Sequence, residues 1–329
     1  MVMYCFIIST LCIVFARVSP VCSVAKIGKS ITSSSNKTTT SLATNSPTEN
    51  YLEKIENEPQ LRIVGGHDCH HTFMVTVVVA QTWTYVCSGT LISPSFVLSS
   101  ASCFLIIPGP PDLLAIIGRF NLRSKNYSAI KVKWIQPAPK YYTPDRVDVA
   151  LLYLSEKIYP REGEVSYIKL PAVIHPDDLS DFCPFNLFTA AGWGNVNSNR
   201  TNTVDLSQQL KCADIPYLNN RKCKEKAKHF NPNIYLCLSD PTAKVGACYG
   251  DVGGPIFCND IQYGIISNAM YCADPQNPTF IIRVDRELEF IHQYVRYYRS
   301  CSNSEIGKLL YISISLMTIV SNLILFEKF

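Results

Sequence analysis

The sequence lacks a strong charge of either sign, any internal repeat and, over most of its length, helical periodicity. Its 329 residues include 30 Lys or Arg and 26 Asp or Glu, which gives a formal net charge of +4. Because basic residues are mostly scattered, we expect no nucleic-acid partner. The single dense basic run, NNRKCKEKAKHF at residues 219–230, is interpreted as a solvated face.

The scarcity of helical periodicity favours β-structure. From residue 63 onward, short β-rich runs such as FMVTVVVA, LAIIGRF and YGIISNAM alternate with turn signals, which is typical of an all-β barrel or sandwich. Helical spacing follows an Asp285 cap near the end, on a face formed by Leu288, Ile291, Val295 and Tyr298. The sequence therefore predicts an all-β region at about residues 63–299 that ends in a short amphipathic α-helix.

The regions outside this domain have compositions of their own. Residues 1–19 combine an apolar run with small residues and predict a secretory signal peptide. Residues 20–62 form a Ser/Thr-rich propeptide or linker. A spacer at 300–308 precedes residues 309–326, an 18-residue run without a charge. This run fits a transmembrane helix or the removable signal of a GPI anchor, and both interpretations remain open.

Cysteine content indicates the cellular compartment. Fourteen cysteines, together with the predicted signal, imply an oxidising compartment and disulfide bonds. Acceptor motifs for N-glycosylation occur at Asn36, Asn126 and Asn199. We therefore expect a glycoprotein of the secretory pathway, either held at the outer cell surface or secreted.

Five short motifs suggest a family. They are RIVGG at 62–66, CSGTLISPSFVLSSASC at 87–103, DVALLYL at 148–154, AAGWG at 190–194 and ACYGDVGGP at 247–255. In this order they resemble the trypsin-like (chymotrypsin-fold) serine proteases over nearly all of residues 63–299. The resemblance implies two antiparallel six-stranded β-barrels, at about 63–175 and 176–284, with a cleft between them and a short C-terminal α-helix.

The resemblance also implies a disulfide framework. The expected pairs are Cys87–Cys103, Cys69–Cys212, Cys223–Cys237, Cys248–Cys272 and Cys183–Cys258. Cys5 and Cys12 belong to the predicted signal peptide. This leaves Cys22 and Cys301, which are paired by elimination alone.

Two of the three catalytic positions that the resemblance implies carry the wrong residue. Acyl transfer by this template needs a hydroxyl nucleophile, an imidazole base and a carboxylate that orients the imidazole. Here the base position is Ser102 and the nucleophile position is Val252, so only the carboxylate, Asp148, remains. An unpaired buried carboxylate is costly, and we expect the Ser102 hydroxyl, or a water beside it, to donate to Asp148.

The specificity pocket implied by the resemblance has changed too. Its base corresponds to Gly246, which offers no carboxylate for Lys or Arg, and its wall reads Ser267, Asn268 and Ala269. Thr279 replaces a glycine that usually leaves the pocket open, and its β-branched side chain is expected to narrow or close it.

The activation machinery that the family uses is retained. Arg62 and Ile63 form a zymogen cleavage site, and the freed Ile63 amine is expected to pair with Asp251. In the alternative interpretation, Asp251 caps its own loop in an uncleaved chain.

These features predict a catalytically inactive serine protease homologue that binds a protein or peptide at the cell surface or outside the cell. The alternative is an active but atypical endopeptidase. No cofactor is expected. The clustered His67, His70 and His71 are interpreted as surface residues rather than zinc ligands.

Overall fold

The computed structural model describes residues 63–105, 112–180, 182–194, 207–268 and 271–303. Several predicted features lie outside these residues: the signal peptide, the propeptide with Cys22, Asn36 and Arg62, the residues Asn199 and Ala269, and the segment 309–326. These features, including the pairing of Cys22 with Cys301, stay predictions. Asn126, the acceptor of the glycosylation motif that the structure does describe, is exposed in a loop.

Strands from the first half of the chain build one closed barrel. In chain order the first seven strands are β1 (His67–Asp68), β2 (Met74–Val79), β3 (Tyr85–Ser93), β4 (Phe96–Ser99), β5 (Leu113–Ile117), β6 (Ser128–Pro137) and β7 (Ala150–Leu154). Strands β2, β3, β4, β7, β6 and β5 pair in that order as an antiparallel barrel. Val75 and Val77 pack into its interior cluster, whereas Met74, just before them, packs in a separate cluster with Trp193. Because both faces of β2 are covered, its residues are apolar except for Thr76 and do not alternate between buried and exposed.

The second half of the chain forms a seven-stranded antiparallel sheet. Its further strands are β8 (Leu187–Gly192), β9 (Lys211–Pro216), β10 (Tyr235–Leu238), β11 (Pro255–Cys258), β12 (Ile261–Asn268) and β13 (Thr279–Arg283). The strand order is β1-β9-β8-β11-β12-β13-β10. A bridge between Tyr217 and Leu238 joins β10 to the continuation of β9, so six of these strands close into the second predicted barrel. β1 belongs to this sheet, and the boundary of the first barrel at residue 63 was therefore wrong.

Three short α-helices and three 3-10 turns complete the described fold. The α-helices are α1 (Ser102–Leu105), α2 (Asn220–Lys226) and α3 (Leu288–Asn303), and the 3-10 turns are Pro139–Tyr142, Pro184–Asn186 and Asp285–Glu287. Within the described part of the chain, no helix is both long and apolar enough to cross a membrane.

Helix α3 packs where the two barrels meet. Phe290 and Ile291 join a buried cluster with Leu98 of the first barrel and Ile282 of the second, and Val295 packs against it. Leu288 is buried too, so the predicted apolar face is confirmed at Leu288, Ile291 and Val295. The side chain of Tyr298 is outside the described part of the structure, and its place on this face stays a prediction. Asp285 has a different role from the predicted cap, because it begins the preceding 3-10 turn and its carboxylate accepts from the guanidinium of Arg283.

Five disulfides fasten the described chain, and they are the five pairs that the resemblance implied. The bond between Cys69 and Cys212 ties the residue that follows β1 to β9, and the bond between Cys87 and Cys103 ties β3 to α1. The backbone on both sides of the cleft is thereby held in place.

Candidate functional site

A cleft of about 490 Å³ lies between the two barrels. It is lined by Ser102, Tyr141, Arg146, Asp148, His229, Tyr235, Tyr249, Gly250, Val252, Ser267 and Phe280. The fold thus brings together the three catalytic positions that the motifs indicated, from α1, from the turn before β7 and from the loop before β11. It also adds four aromatic side chains that sequence reasoning had not assigned to the site.

The carboxylate of Asp148 is buried and surrounded by serine. Its Oδ2 accepts hydrogen bonds from Ser100 Oγ at 2.5 Å, Ser102 Oγ at 2.9 Å and Ser267 Oγ at 2.6 Å. Its Oδ1 accepts from the Ser102 backbone amide at 2.7 Å. The expected donation from Ser102 is confirmed, and Ser100 and Ser267 are further partners that the sequence did not reveal. Among the described residues, the hydrogen-bond partners of Asp148 include no imidazole.

The Ser102 hydroxyl is poorly arranged for nucleophilic attack. A serine becomes a nucleophile when a neighbouring base removes its proton, whereas this hydroxyl donates to a carboxylate that already accepts from two others. A carboxylate is a weak base near neutral pH. This arrangement stabilises the buried charge of Asp148 rather than activating Ser102.

Val252 lies at the tip of the loop that precedes β11 of the second barrel. Its side chain is half-buried and packs on the apolar cluster of the first barrel, and its carbonyl oxygen accepts from the Ser88 amide at 3.0 Å. The next residue, Gly253, has φ +82°, and a Cβ there would overlap the Ser88 carbonyl oxygen and Ser99 Oγ. The loop therefore lies against β3, and its tip presents an apolar side chain without nucleophilic or acid–base chemistry.

Tyr85 holds the same loop from the first barrel, a contact that sequence reasoning missed. Its hydroxyl donates to the Gly250 carbonyl oxygen at 2.5 Å and lies 2.9 Å from Ser88 Oγ. Burial raises the pKa of Tyr85, so the phenol stays protonated and remains a donor at neutral pH. Tyr85 and Gly250 are separated by 165 residues, and no local pattern joins them.

Asp251 lies inside the second barrel with its side chain fully buried. Its carboxylate accepts from the amides of Gly194 and Cys248, each at 2.8 Å, and burial raises its pKa to about 7. A Cβ at Gly194 would overlap this carboxylate, which explains why the AAGWG motif ends in glycine. These two amide hydrogen bonds fit the loop-capping role considered for Asp251.

Ile63 is completely buried in the core cluster of the second barrel, beside Ala247. Its φ is +34°, a strained region for a β-branched residue. Val64 pairs with Gly246 in an isolated bridge, so this segment lies against the start of the loop that carries Asp251.

The residues at the implied specificity-pocket positions each make different contacts. A Cβ at Gly246 would lie 2.6 Å from the Ala273 Cα, so no larger side chain fits at this base. Ser267 lines the cleft and donates to Asp148, and the backbone of Asn268 pairs opposite Phe280. Thr279 is half-buried opposite Leu238. The neighbouring ring of Phe280 lines the cleft.

His67 and His70 near β1 are exposed, which agrees with their interpretation as surface residues, and His71 is half-buried. His70 lies 3.7 Å from Phe120 between ring centroids, and His71 packs against Phe73 and Phe257. Burial lowers the pKa of His71. The sulfurs of Cys69 and Cys212 lie near His71, but they are joined in a disulfide and provide no thiolate for a metal.

Comparison with known proteins decides the family. A sequence model of the trypsin family matches residues 63–291. The chain belongs to the trypsin family. Among its trypsin-family relatives is submandibular glandular kallikrein-9 of Rattus norvegicus, 29% identical over 262 residues that cover 74% of this chain and 95% of the relative. Duodenase-1 of Bos taurus is 27% identical over 245 residues, covering 72% and 91% of the two chains. A trypsin of Saccharopolyspora erythraea is 28% identical over 226 residues, covering 68% and 93%.

Membership in the trypsin family confirms the fold that the motifs predicted. The retained fold differs from the cleft, where the residues at two catalytic positions depart from the family pattern. The barrels, the disulfides and the buried aspartates are those that the trypsin resemblance implied. Serine hydroxyls and a valine occupy the positions where that resemblance implies a base and a nucleophile.

Proposed function

We propose that this trypsin-family chain has no peptidase activity and acts by binding a protein or peptide segment in the cleft between its barrels. The observation that carries the proposal is the environment of Asp148, whose oxygens accept from three serine hydroxyls and one amide. With Val252 at the loop tip, the described residues that line the cleft include a carboxylate but no hydrogen-bonded pair of imidazole and nucleophile. Loss of such a unit lowers turnover roughly a million-fold.

An active but atypical endopeptidase is the second candidate. One observation favours it: His229 lines the same cleft as Ser102. However, His229 is exposed and stands edge-on to Phe280, with ring centroids 5.4 Å apart. The Ser102 proton is directed to Asp148. Binding without cleavage is therefore the better-supported function.

A peptidase assay distinguishes the two candidates. The full chain, cleaved after Arg62, is expected to hydrolyse no member of a peptide library and to resist labelling by a serine-directed phosphonate. The Ser102→Ala variant is the matched control. Hydrolysis or labelling that the wild type shows and Ser102→Ala lacks would contradict the proposal and establish the second candidate.

We also propose that the bond between Arg62 and Ile63 is cleaved in the mature protein. The strained φ of Ile63 and the raised pKa of Asp251 support this, because cleavage releases the backbone and supplies an ammonium near the carboxylate. N-terminal sequencing of secreted protein checks it, with a new terminus at Ile63 as the expected result.

For location, five disulfides support secretion, and the apolar run 309–326 supports attachment at the outer cell surface. Release of the protein by a phosphatidylinositol-specific phospholipase would establish a lipid anchor, and retention would establish a transmembrane helix.

A further inference from the structure

The basic run at residues 219–230 forms one border of the cleft. It folds as α2 and the loop that follows, and the disulfide between Cys223 and Cys237 fastens it to β10. Its Lys and Arg side chains are exposed: Arg221, Lys222, Lys224, Lys226 and Lys228. At its end His229 lines the cleft, and Phe230 is buried against Phe280 with ring centroids 5.8 Å apart. The run is therefore continuous with the cleft wall.

Aromatic rings form much of the remaining cleft surface. Tyr141, Tyr235, Tyr249 and Phe280 all line it, and the rings of Tyr235 and Phe280 are 5.5 Å apart between centroids. Such a surface gains free energy by burying an aromatic or aliphatic side chain of a ligand.

The charges that remain available around the cleft are mainly positive. Arg146 lines it, with its guanidinium carbon 5.8 Å from the Tyr141 ring centroid. The carboxylate of Asp148 is buried and accepts four hydrogen bonds, so its oxygens already have donors and are poorly placed to pair directly with a cation of a ligand. Asp145 beside Arg146 and Glu225 within the basic run are the exposed acids on these segments, and they offset only part of the positive charge.

We infer that the occupant of the cleft is an acidic polypeptide segment that carries an aromatic or large aliphatic residue. This inference rests on the proposed binding function. The apolar side chain contacts Tyr249 and Phe280, while neighbouring Asp or Glu residues pair with Arg146 and the basic run. A sulfated glycan would satisfy the cations as well, but it provides no apolar side chain for the aromatic wall, so a polypeptide is favoured.

Binding assays with defined ligands test this inference. The full chain, purified in detergent, is titrated with a fluorescein-labelled peptide Glu-Glu-Asp-Phe-Asp-Glu-Glu. Matched ligands replace Phe by Ala, replace every acid by its amide, or replace every acid by Lys; a heparin octasaccharide is the fifth ligand. We expect the acidic Phe peptide to bind tightest, with an affinity that falls as salt rises. Mass spectrometry of the recovered peptides records any cleavage.

Variants of the protein locate the contact. Tyr249→Ala and Arg146→Gln should each weaken binding of the acidic Phe peptide about tenfold or less. Phe280→Ala should weaken it more, and its thermal unfolding is measured alongside because Phe280 also packs on Phe230. Lys131→Gln is the matched control, since Lys131 pairs with Asp112 on the first barrel, and it should leave binding unchanged.

Each contrary result has a defined meaning. Tighter binding of the Lys peptide, no binding of the acidic Phe peptide, or tighter binding of the heparin octasaccharide than of the acidic Phe peptide would overturn the inference while leaving the binding function intact. Cleavage of any peptide would instead contradict the proposed function itself.

Discussion

A buried carboxylate needs a donor for each of its acceptor positions, and at Asp148 these donors come from serines. Ser100 and Ser102 lie on the turn that enters α1, and Ser267 reaches across from β12 of the second barrel. The carboxylate therefore joins the two barrels through hydrogen bonds. At this scale the contacts of Asp148 support a structural role, in a position that the family resemblance assigns to catalysis.

Replacing Asp148 tests this structural role. Asp148→Ala leaves the hydroxyls of Ser100, Ser102 and Ser267 without their acceptor, and it should lower the free energy of unfolding by about 2–4 kcal/mol. Ser102→Ala removes one donor while two hydroxyls remain, and it should cost about 1 kcal/mol. Urea unfolding followed by tryptophan fluorescence gives both values. Equal values for the two variants would show that Asp148 is not the centre of the network.

At the scale of elements, the loop from Gly246 to Cys258 keeps its shape through contacts outside itself. Tyr85 donates to the Gly250 carbonyl oxygen, and Val252 and Gly253 lie against β3. The Cys183–Cys258 and Cys248–Cys272 disulfides fasten its two ends. The loop thus braces one barrel against the other although its tip carries an inert side chain.

Comparing Gly253 of this loop with Gly163 elsewhere in the chain distinguishes the cost of backbone strain from the cost of a steric clash. Gly253 and Gly163 both have positive φ, +82° and +69°, but a Cβ at Gly253 meets the Ser88 carbonyl oxygen, whereas nothing lies within 4 Å at Gly163. Gly163→Ala should cost about 1–2 kcal/mol from the left-handed conformation alone. Gly253→Ala should cost more than about 4 kcal/mol, since it adds a clash with backbone. Secretion yield and thermal unfolding of the two variants measure the difference, and similar losses would show that the loop moves freely away from β3.

The strands, the helix and the disulfides were predictable because their signals are local or carried by ordered motifs. The spacing of β-rich runs predicted an all-β barrel or sandwich, and the resemblance to the trypsin-like proteases implied the two barrels and the five disulfide pairs. The partners of Asp148 were only partly predictable. Ser267 is 119 residues from it, and Tyr85 is 165 residues from Gly250, so only the folded chain brings these hydroxyls to their acceptors. The aromatic wall was missed for the same reason, because its residues come from four separate segments.

At the scale of the whole molecule, the proposed cleavage after Arg62 changes which group interacts with the buried carboxylate of Asp251. Ile63 is buried in the second barrel and strained in φ, while Asp251 is buried with two backbone amides and a raised pKa. In the uncleaved chain a carboxylate without a cation favours its protonated form. In the cleaved chain the free Ile63 ammonium would favour the ionised form. Cleavage should therefore reverse how this group responds to pH.

The pKa of Asp251 determines whether the free energy of unfolding rises or falls with pH. Its pKa is about 7 in the folded, uncleaved chain against an ordinary value of 3.8, so between these pH values the folded state holds a proton that the unfolded state has lost. The free energy of unfolding of an uncleavable Arg62→Gln chain should consequently fall as pH rises from about 4 to about 7, by at most about 1.4 kcal/mol per pH unit from this group. The same measurement on Arg62→Gln with Asp251→Asn isolates the contribution of Asp251, because all other titrating groups are shared.

In the cleaved wild type the ion pair lowers the pKa of Asp251 in the folded state, so the stability that Asp251 contributes should persist at pH 7 and be lost on acidification. A cleaved chain whose stability difference from Asp251→Asn still falls toward pH 7 would show that the Ile63 amine does not reach the carboxylate.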